Sequence, residues 1–219
     1  MTQSTEQSIL DTHYMARAIE LARNGLYTTH PNPRVGCVIV RDGQIVGEGW
    51  HVRTGEPHAE VHALRAAGEL ARGATAYVTL EPCSHHGHTP PCAEGLISAG
   101  VARVVAAMQD PNPEVAGRGL KRLADAGIEV RSGVLEADAR ALNPGFLKRM
   151  EHGLPFVRVK MAMSLDGRTA MANGESQWIT GPEARSAVQR LRAQASVVLT
   201  GADTVLADGA RLTVRGPEL

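Results

Sequence analysis

The chain has 219 residues, equal numbers of acidic and basic side chains (23 each), and few aromatics at 3%. Zero formal net charge argues against a long nucleic acid as the ligand, because phosphate neutralisation needs a basic surplus, and favours a small-molecule substrate. No run approaches the eighteen apolar residues that would cross a bilayer, residues 1–7 are polar and lack an apolar signal core, and three cysteines do not make a disulfide framework. The expectation is a cytoplasmic enzyme with no membrane partner, of one large or two smaller domains.

Residues 1–10 read as a loose leader. Asp11 or Thr12 can cap a first helix that places Met15, Ala18, Ile19 and Ala22 on one face and ends at Gly25. Thr29-His30-Pro31-Asn32-Pro33 reads as loop, because its prolines exclude helix. Residues 35–40 form a β-branched strand, Asp42-Gly43 a hairpin turn, and residues 44–50 the return strand. A helix follows over 58–67. Then come a strand at 74–80, a helix at 92–99 closed by Gly100, and a strand at 101–108. After the Asp110-Pro111-Asn112-Pro113 loop, the pattern gives a helix over 119–126 stopped by Gly127 and a strand at 128–132. A helical stretch over 136–150 is interrupted at Asn143-Pro144. This order predicts an α/β fold, a three-layer helix–sheet–helix sandwich around a mixed sheet of about five strands, spanning 1–150.

Glu151-His152-Gly153-Leu154-Pro155 reads as a boundary. A second domain is expected over 156–219, with apolar strands at 156–163 and 196–200 and a helix over 182–193 that has proline in its first turn. Gly201-Ala202-Asp203-Thr204 follows the second strand, where backbone N–H groups can approach a phosphate. The G-x-G-x-x-G dinucleotide fingerprint is absent.

The chemistry concentrates in His58-Ala59-Glu60, Pro82-Cys83 and Cys92. A catalytic zinc takes three protein ligands and keeps a fourth position for water, whose pKa it lowers from about 15.7 towards about 7. A neighbouring carboxylate can then carry protons. The deaminase signature H-x-E followed by P-C-x-x-C fits in its first half. In its second half, eight residues separate Cys83 from Cys92. That insert holds His85, His86 and His88, which can donate to an anionic substrate, with Gly87 to turn the loop and Pro90-Pro91 to stiffen its return. Cys37, inside an apolar run, reads as a small buried hydrophobe. The residues alone leave open a cytidine or tRNA-adenosine deaminase, or a structural zinc closed by His85 or His88.

Asn32-Pro33-x-Val35-Gly36, His58-Ala59-Glu60 and Glu81-Pro82-Cys83-Ser84-His85 through Pro90-Pro91-Cys92 resemble the deaminase domain of bacterial riboflavin biosynthesis. Lys160-Met161-Ala162-Met163-Ser164-Leu165-Asp166-Gly167-Arg168 and Gly174-Glu175-Ser176-Gln177-Trp178-Ile179-Thr180 resemble the opening of the NADPH-dependent reductase domain in the same family. That family is the bifunctional diaminohydroxyphosphoribosylaminopyrimidine deaminase and 5-amino-6-(5-phosphoribosylamino)uracil reductase. The resemblance implies a cytidine-deaminase-like domain followed by the start of a dihydrofolate-reductase-like α/β domain, incomplete at Leu219. It implies zinc held by His58, Cys83 and Cys92, with Glu60 as proton shuttle. It also implies that Asn32, His51 and His85 contact the pyrimidine or its ribose phosphate. Ala162, Trp178, Thr204 and Asp208 are implied to contact NADPH, and Ser176, Arg192, Leu212 and Arg215 to lie near the sugar-phosphate substrate. Enzymes of this kind often associate, so a homo-oligomer is expected.

Overall fold

The computed structural model describes residues 3–84 and 90–216, and divides into two compact units, Met1–Phe156 and Val157–Leu219. Its first unit is built on a five-stranded sheet. The strands are β1 (Gly36–Arg41), β2 (Gln44–Trp50), β3 (Thr75–Val78), β4 (Arg103–Ala106) and β5 (Glu129–Ser132), in spatial order β2-β1-β3-β4-β5. β1 runs antiparallel to both β2 and β3, while β3, β4 and β5 are parallel. This is the expected mixed sheet.

Side-chain alternation along the central strands feeds two cores. Val38, Val40, Tyr77 and Val105 face one side, packing with residues of α1 (Gln3–Ala22), α5 (Glu136–Leu142) and α6 (Pro144–His152). Cys37, Ile39, Ala76, Val78 and Val104 face the other, packing with α2 (Ala59–Ala67), α3 (Cys92–Ala99) and α4 (Arg118–Asp125). The three-layer arrangement follows.

The hairpin turn is where Asp42-Gly43 puts it, with φ of 50° and 75°, the left-handed pair that a two-residue turn between twisted strands requires. On β2, Gly47 and Gly49 leave bare backbone facing α2. A Cβ at either would lie 2.3 Å from the Ala63 carbonyl oxygen or 2.4 Å from that of Ala59. Alanines 59, 63 and 67, one per turn, form the matching face. The helix can therefore approach closely, and its N-terminus fixes the height of His58 and Glu60.

The leader expectation is corrected: α1 already spans Gln3–Ala22, and Asp11 is a fully buried mid-helix residue rather than a cap. Its carboxylate accepts hydrogen bonds from Arg103, Arg131, Gln7 and the Tyr77 hydroxyl. A buried charge with such partners stabilises a helix that local composition does not announce. At the far end of the unit, the Asn143 side chain accepts from the Arg34 N–H and donates to the Arg34 carbonyl, while the Arg34 guanidinium reaches the Leu142 carbonyl.

In the second unit, α7 (Pro182–Ala193) is where it was expected, and α8 (Ala202–Asp208) follows Gly201. The strands expected at 156–163 and 196–200 are not formed. A strand is defined by its ladder, and apolar composition supplies propensity without supplying a partner; along 156–163, Val157, Val159, Met161 and Met163 stand exposed.

Candidate metal centre

β3 ends at Val78, and the chain bends at Thr79 and Leu80 and continues without regular structure through Glu81 and Pro82 to Cys83. His58 is the N-cap of α2, and Cys92 opens α3 after Pro91. Three elements thus deliver their termini to the end of the sheet where the parallel strands finish, the usual place for ligands in such sheets.

The ligand atoms of His58, Cys83 and Cys92 all lie within 4.8 Å of one another. His58 Nδ1 is 3.2 Å from Cys92 Sγ and 3.7 Å from Cys83 Sγ. A tetrahedral zinc with ordinary bond lengths would separate a nitrogen and a sulfur ligand by about 3.6 Å. An imidazole and two thiols also have the softness that selects zinc over hard cations. The donor set therefore fits zinc.

The Cys83 thiol is pulled down to about 4 by its contact with Cys92, against burial and with help from His58 and the Cys92 amide. Cys92 is pushed up by Cys83 and by burial, and the Cys92 N–H donates to Cys83 Sγ at 3.3 Å. Glu60, in the first turn of α2, is buried, and its Oε2 has no hydrogen-bond partner among the described residues. Burial raises its carboxyl above the ordinary range, with Cys83 adding to this and His58 opposing it. A proton-accepting group with an unused buried oxygen is thereby held beside the three donors. Cys37 is fully buried, and burial pushes its thiol well up.

His51, just after β2, is buried beside His58, with ring centroids 5.6 Å apart. Its Nδ1 lies 3.3 Å from the Pro57 carbonyl oxygen, which assigns the proton to Nδ1, and its Nε2 has no partner among the described residues. Burial lowers its pKa below the ordinary imidazole value. Asn32 is exposed, its N–H donating to the Thr29 carbonyl at 2.8 Å. The Thr54 hydroxyl donates to the Thr29 and His30 carbonyls, latching the Asn32 loop to the segment after His51. His85, His86 and His88 lie outside the described residues.

In the second unit, Arg192 donates to the Arg211 and Thr213 carbonyls, and Arg215 donates to the Arg211 carbonyl. The two arginines thus converge on one short segment that also carries the half-buried Leu212. Ala162 and Ser176 are half-buried, while Thr204 and Asp208 are exposed on α8. Trp178 is 71% exposed with the Arg185 guanidinium 4.5 Å over its ring. Sequence reasoning missed Thr54, the roles of Glu81 and Asn143, and His62, whose Nε2 is buried and unpaired one turn after His58. For His62 the four-residue spacing from His58 was the available signal.

Two family models match. The cytidine and deoxycytidylate deaminase zinc-binding region covers residues 8–108, and the RibD C-terminal domain covers residues 155–219. The riboflavin biosynthesis protein RibD of Escherichia coli K12 is 68% identical over 209 residues, covering 95% of this chain and 57% of that protein. The solved structure of Acinetobacter baumannii RibD superposes with a TM-score of 0.92 at 60% identity, over 95% of this chain and 59% of that one. The Thermotoga maritima diaminohydroxyphosphoribosylaminopyrimidine deaminase/5-amino-6-(5-phosphoribosylamino)uracil reductase superposes with a TM-score of 0.91 at 45% identity, over 97% and 61%. The chain spans a little over half the length of these relatives. No helix among the described residues is long and apolar enough to cross a membrane. With a zinc-binding deaminase region, a match to the RibD C-terminal domain and this degree of identity along nearly its whole length, the chain is similar to RibD proteins.

Proposed function

We propose that this chain performs the deamination step of riboflavin biosynthesis. Water replaces the C2 amino group of 2,5-diamino-6-(5-phosphoribosylamino)pyrimidin-4(3H)-one, giving 5-amino-6-(5-phosphoribosylamino)uracil and ammonia. The observation that carries this reading is the cluster of His58, Cys83 and Cys92 with the partnerless buried oxygen of Glu60 beside it. His58, Cys83 and Cys92 would hold the zinc, which when bound supplies the Lewis acidity that lets water act as a nucleophile near neutral pH. Glu60 Oε2 takes the proton of the attacking water and gives it to the unprotonated ring nitrogen next to C2, then carries the proton of the new C2 hydroxyl to the amino group, which leaves as ammonia as the C2 carbonyl forms. His51, with its proton committed to the Pro57 carbonyl, offers Nε2 as an acceptor for a substrate N–H or O–H. Asn32 and His85 complete the contacts to the pyrimidine and its ribose phosphate.

Residues 1–150 form the deaminase domain in this reading. Residues 156–219 are the first part of a reductase domain that, in the longer proteins, reduces the ribosyl group to ribityl with NADPH. Ala162, Trp178, Thr204 and Asp208 would meet the cofactor, and Ser176, Arg192, Leu212 and Arg215 the sugar phosphate, for which an arginine fork is suited. The protein works in the cytoplasm on a small molecule, as a homo-oligomer, without nucleic acid.

The test is ammonia release by zinc-loaded protein from the diaminopyrimidine phosphate, from cytidine and from adenosine-bearing tRNA. Release from the first alone is expected. Turnover of cytidine or tRNA instead transfers the chain to another deaminase class, and zinc binding without any turnover makes the metal structural.

A further inference from the structure

We infer that Glu81 is the positioning residue of the metal centre, fixing the strand end that carries Cys83. The inference rests on the reading of His58, Cys83 and Cys92 as metal ligands. Glu81 lies two residues before Cys83 and is 4% exposed. Its Oε1 accepts the N–H groups of Gly119 at 2.8 Å and Leu120 at 3.3 Å, and its Oε2 accepts those of Gly117 at 2.8 Å and Asp110 at 3.1 Å. None of these partners is a cation. The four N–H groups belong to the loop after β4 and the first turn of α4, whose N-cap, Gly117, has no side chain to cap with. A carboxylate from a distant strand does the capping, and the helix dipole favours negative charge there.

The same contact holds Pro82. A Cβ on Gly119 would lie 1.8 Å from the Pro82 carbonyl oxygen, so the start of α4 rests on the peptide that leads into Cys83. The main chain of Glu81 is tied as well, its N–H donating to the Met108 carbonyl at 3.0 Å. Beyond Pro82, the Cys83 carbonyl accepts the Ala93 N–H at 3.1 Å, and Cys83 Sγ accepts that of Cys92. A continuous path of hydrogen bonds and backbone contact thus runs from α4 through Glu81 to two of the three donors. Metal affinity depends on donor positions held to about 0.2 Å, which is the tolerance this path can set. A glutamine has the same shape, but its NH₂ would face two of the four N–H donors and leave them unpaired.

The measurement is zinc affinity by competition with a chromophoric chelator, at a temperature where circular dichroism shows each variant folded. Visible spectra of the cobalt(II)-loaded proteins report coordination geometry. Glu81→Gln is expected to bind zinc at least tenfold more weakly and to weaken the tetrahedral cobalt bands. Asp11→Asn, which loses a buried carboxylate at the opposite end of the sheet, should leave zinc affinity within twofold and the cobalt spectrum unaltered. If Glu81→Gln does not fold, Glu81→Asp, one methylene short of the same N–H groups, carries the comparison. Unchanged affinity and spectrum, or an equal loss in Asp11→Asn, overturns the assignment. Ammonia release by the unsubstituted protein is scored separately. A protein whose zinc site depends on Glu81 but that releases no ammonia sinks the deaminase reading and leaves this one standing.

Discussion

Asp11 and Arg103 stand 92 positions apart in the chain, and their carboxylate and guanidinium meet in a two-pronged pair at 2.7 and 2.8 Å. Arg131 adds a third contact at 2.7 Å. Burial alone would raise the Asp11 carboxyl, but hydrogen bonds from Arg103, Gln7 and Tyr77 outweigh it and hold it at about 2, below the usual 3.8. The stabilisation is therefore complete above about pH 4 and lost as the pH falls towards 2. By linkage it amounts to about 2 kcal/mol. Urea unfolding of Asp11→Asn should show a deficit of roughly 3–5 kcal/mol at pH 6 that narrows by about 2 kcal/mol near pH 2. A deficit independent of pH would remove the charged pair from the account.

Glu60→Gln keeps the volume of a buried side chain whose Oε2 has no hydrogen-bond partner among the described residues. Zinc content by elemental analysis should stay near that of the unsubstituted protein, while ammonia release falls about 10²–10⁴-fold. Retained turnover would exclude Glu60 as the proton carrier.

Gly49→Ala places a methyl 2.4 Å from the Ala59 carbonyl oxygen and 2.6 Å from the Ala63 nitrogen, both backbone atoms. Overpacking of this kind costs about 1–3 kcal/mol, a fall of roughly 3–10 °C in melting temperature for a chain of this size. Gly145→Ala, in open space within α6, should be neutral or slightly stabilising. Equal melting temperatures for the two variants would contradict close packing of α2 on β2.

Removing the metal should expose one reactive thiol. In the metal-free protein, contact with Cys92 and His58 pulls the Cys83 thiol well below its ordinary range, whereas Cys37 is buried with its thiol pushed well up. Alkylation of chelator-treated protein at pH 6, followed by peptide mass analysis, should modify Cys83 rapidly and spare Cys37. Zinc should protect Cys83. Modification of Cys37 at a comparable rate would contradict the described burial.

Much of this was legible in residue order, because the signals are local. The β1–β2 turn is written in Asp42-Gly43, the end of α3 in Gly100 with φ of 72°, and the break between α5 and α6 in Asn143-Pro144. The three donors are legible because the positions that can hold them, a helix start and the ends of extended segments, carry their own signals. What stayed hidden depends on partners far along the chain. Asp11 looked like a cap because Arg103 and Arg131 are remote. Glu81 gave no sign of its role because its partners are main-chain N–H groups, which no side-chain pattern encodes. The stretch at 156–163 has the composition of a strand, but the pairing that makes one lies between segments and is not written in either.

The pairing of Arg34 with Asn143 carries a practical consequence for anyone trimming this protein. A version cut just ahead of residue 143 would retain every strand of the sheet and all three metal donors. It would nonetheless release the loop that presents Asn32, whose far anchor is the side chain removed. Under the proposed function, such a version should hold its metal normally but bind the pyrimidine substrate weakly, so the shortest useful boundary lies beyond the bend between α5 and α6.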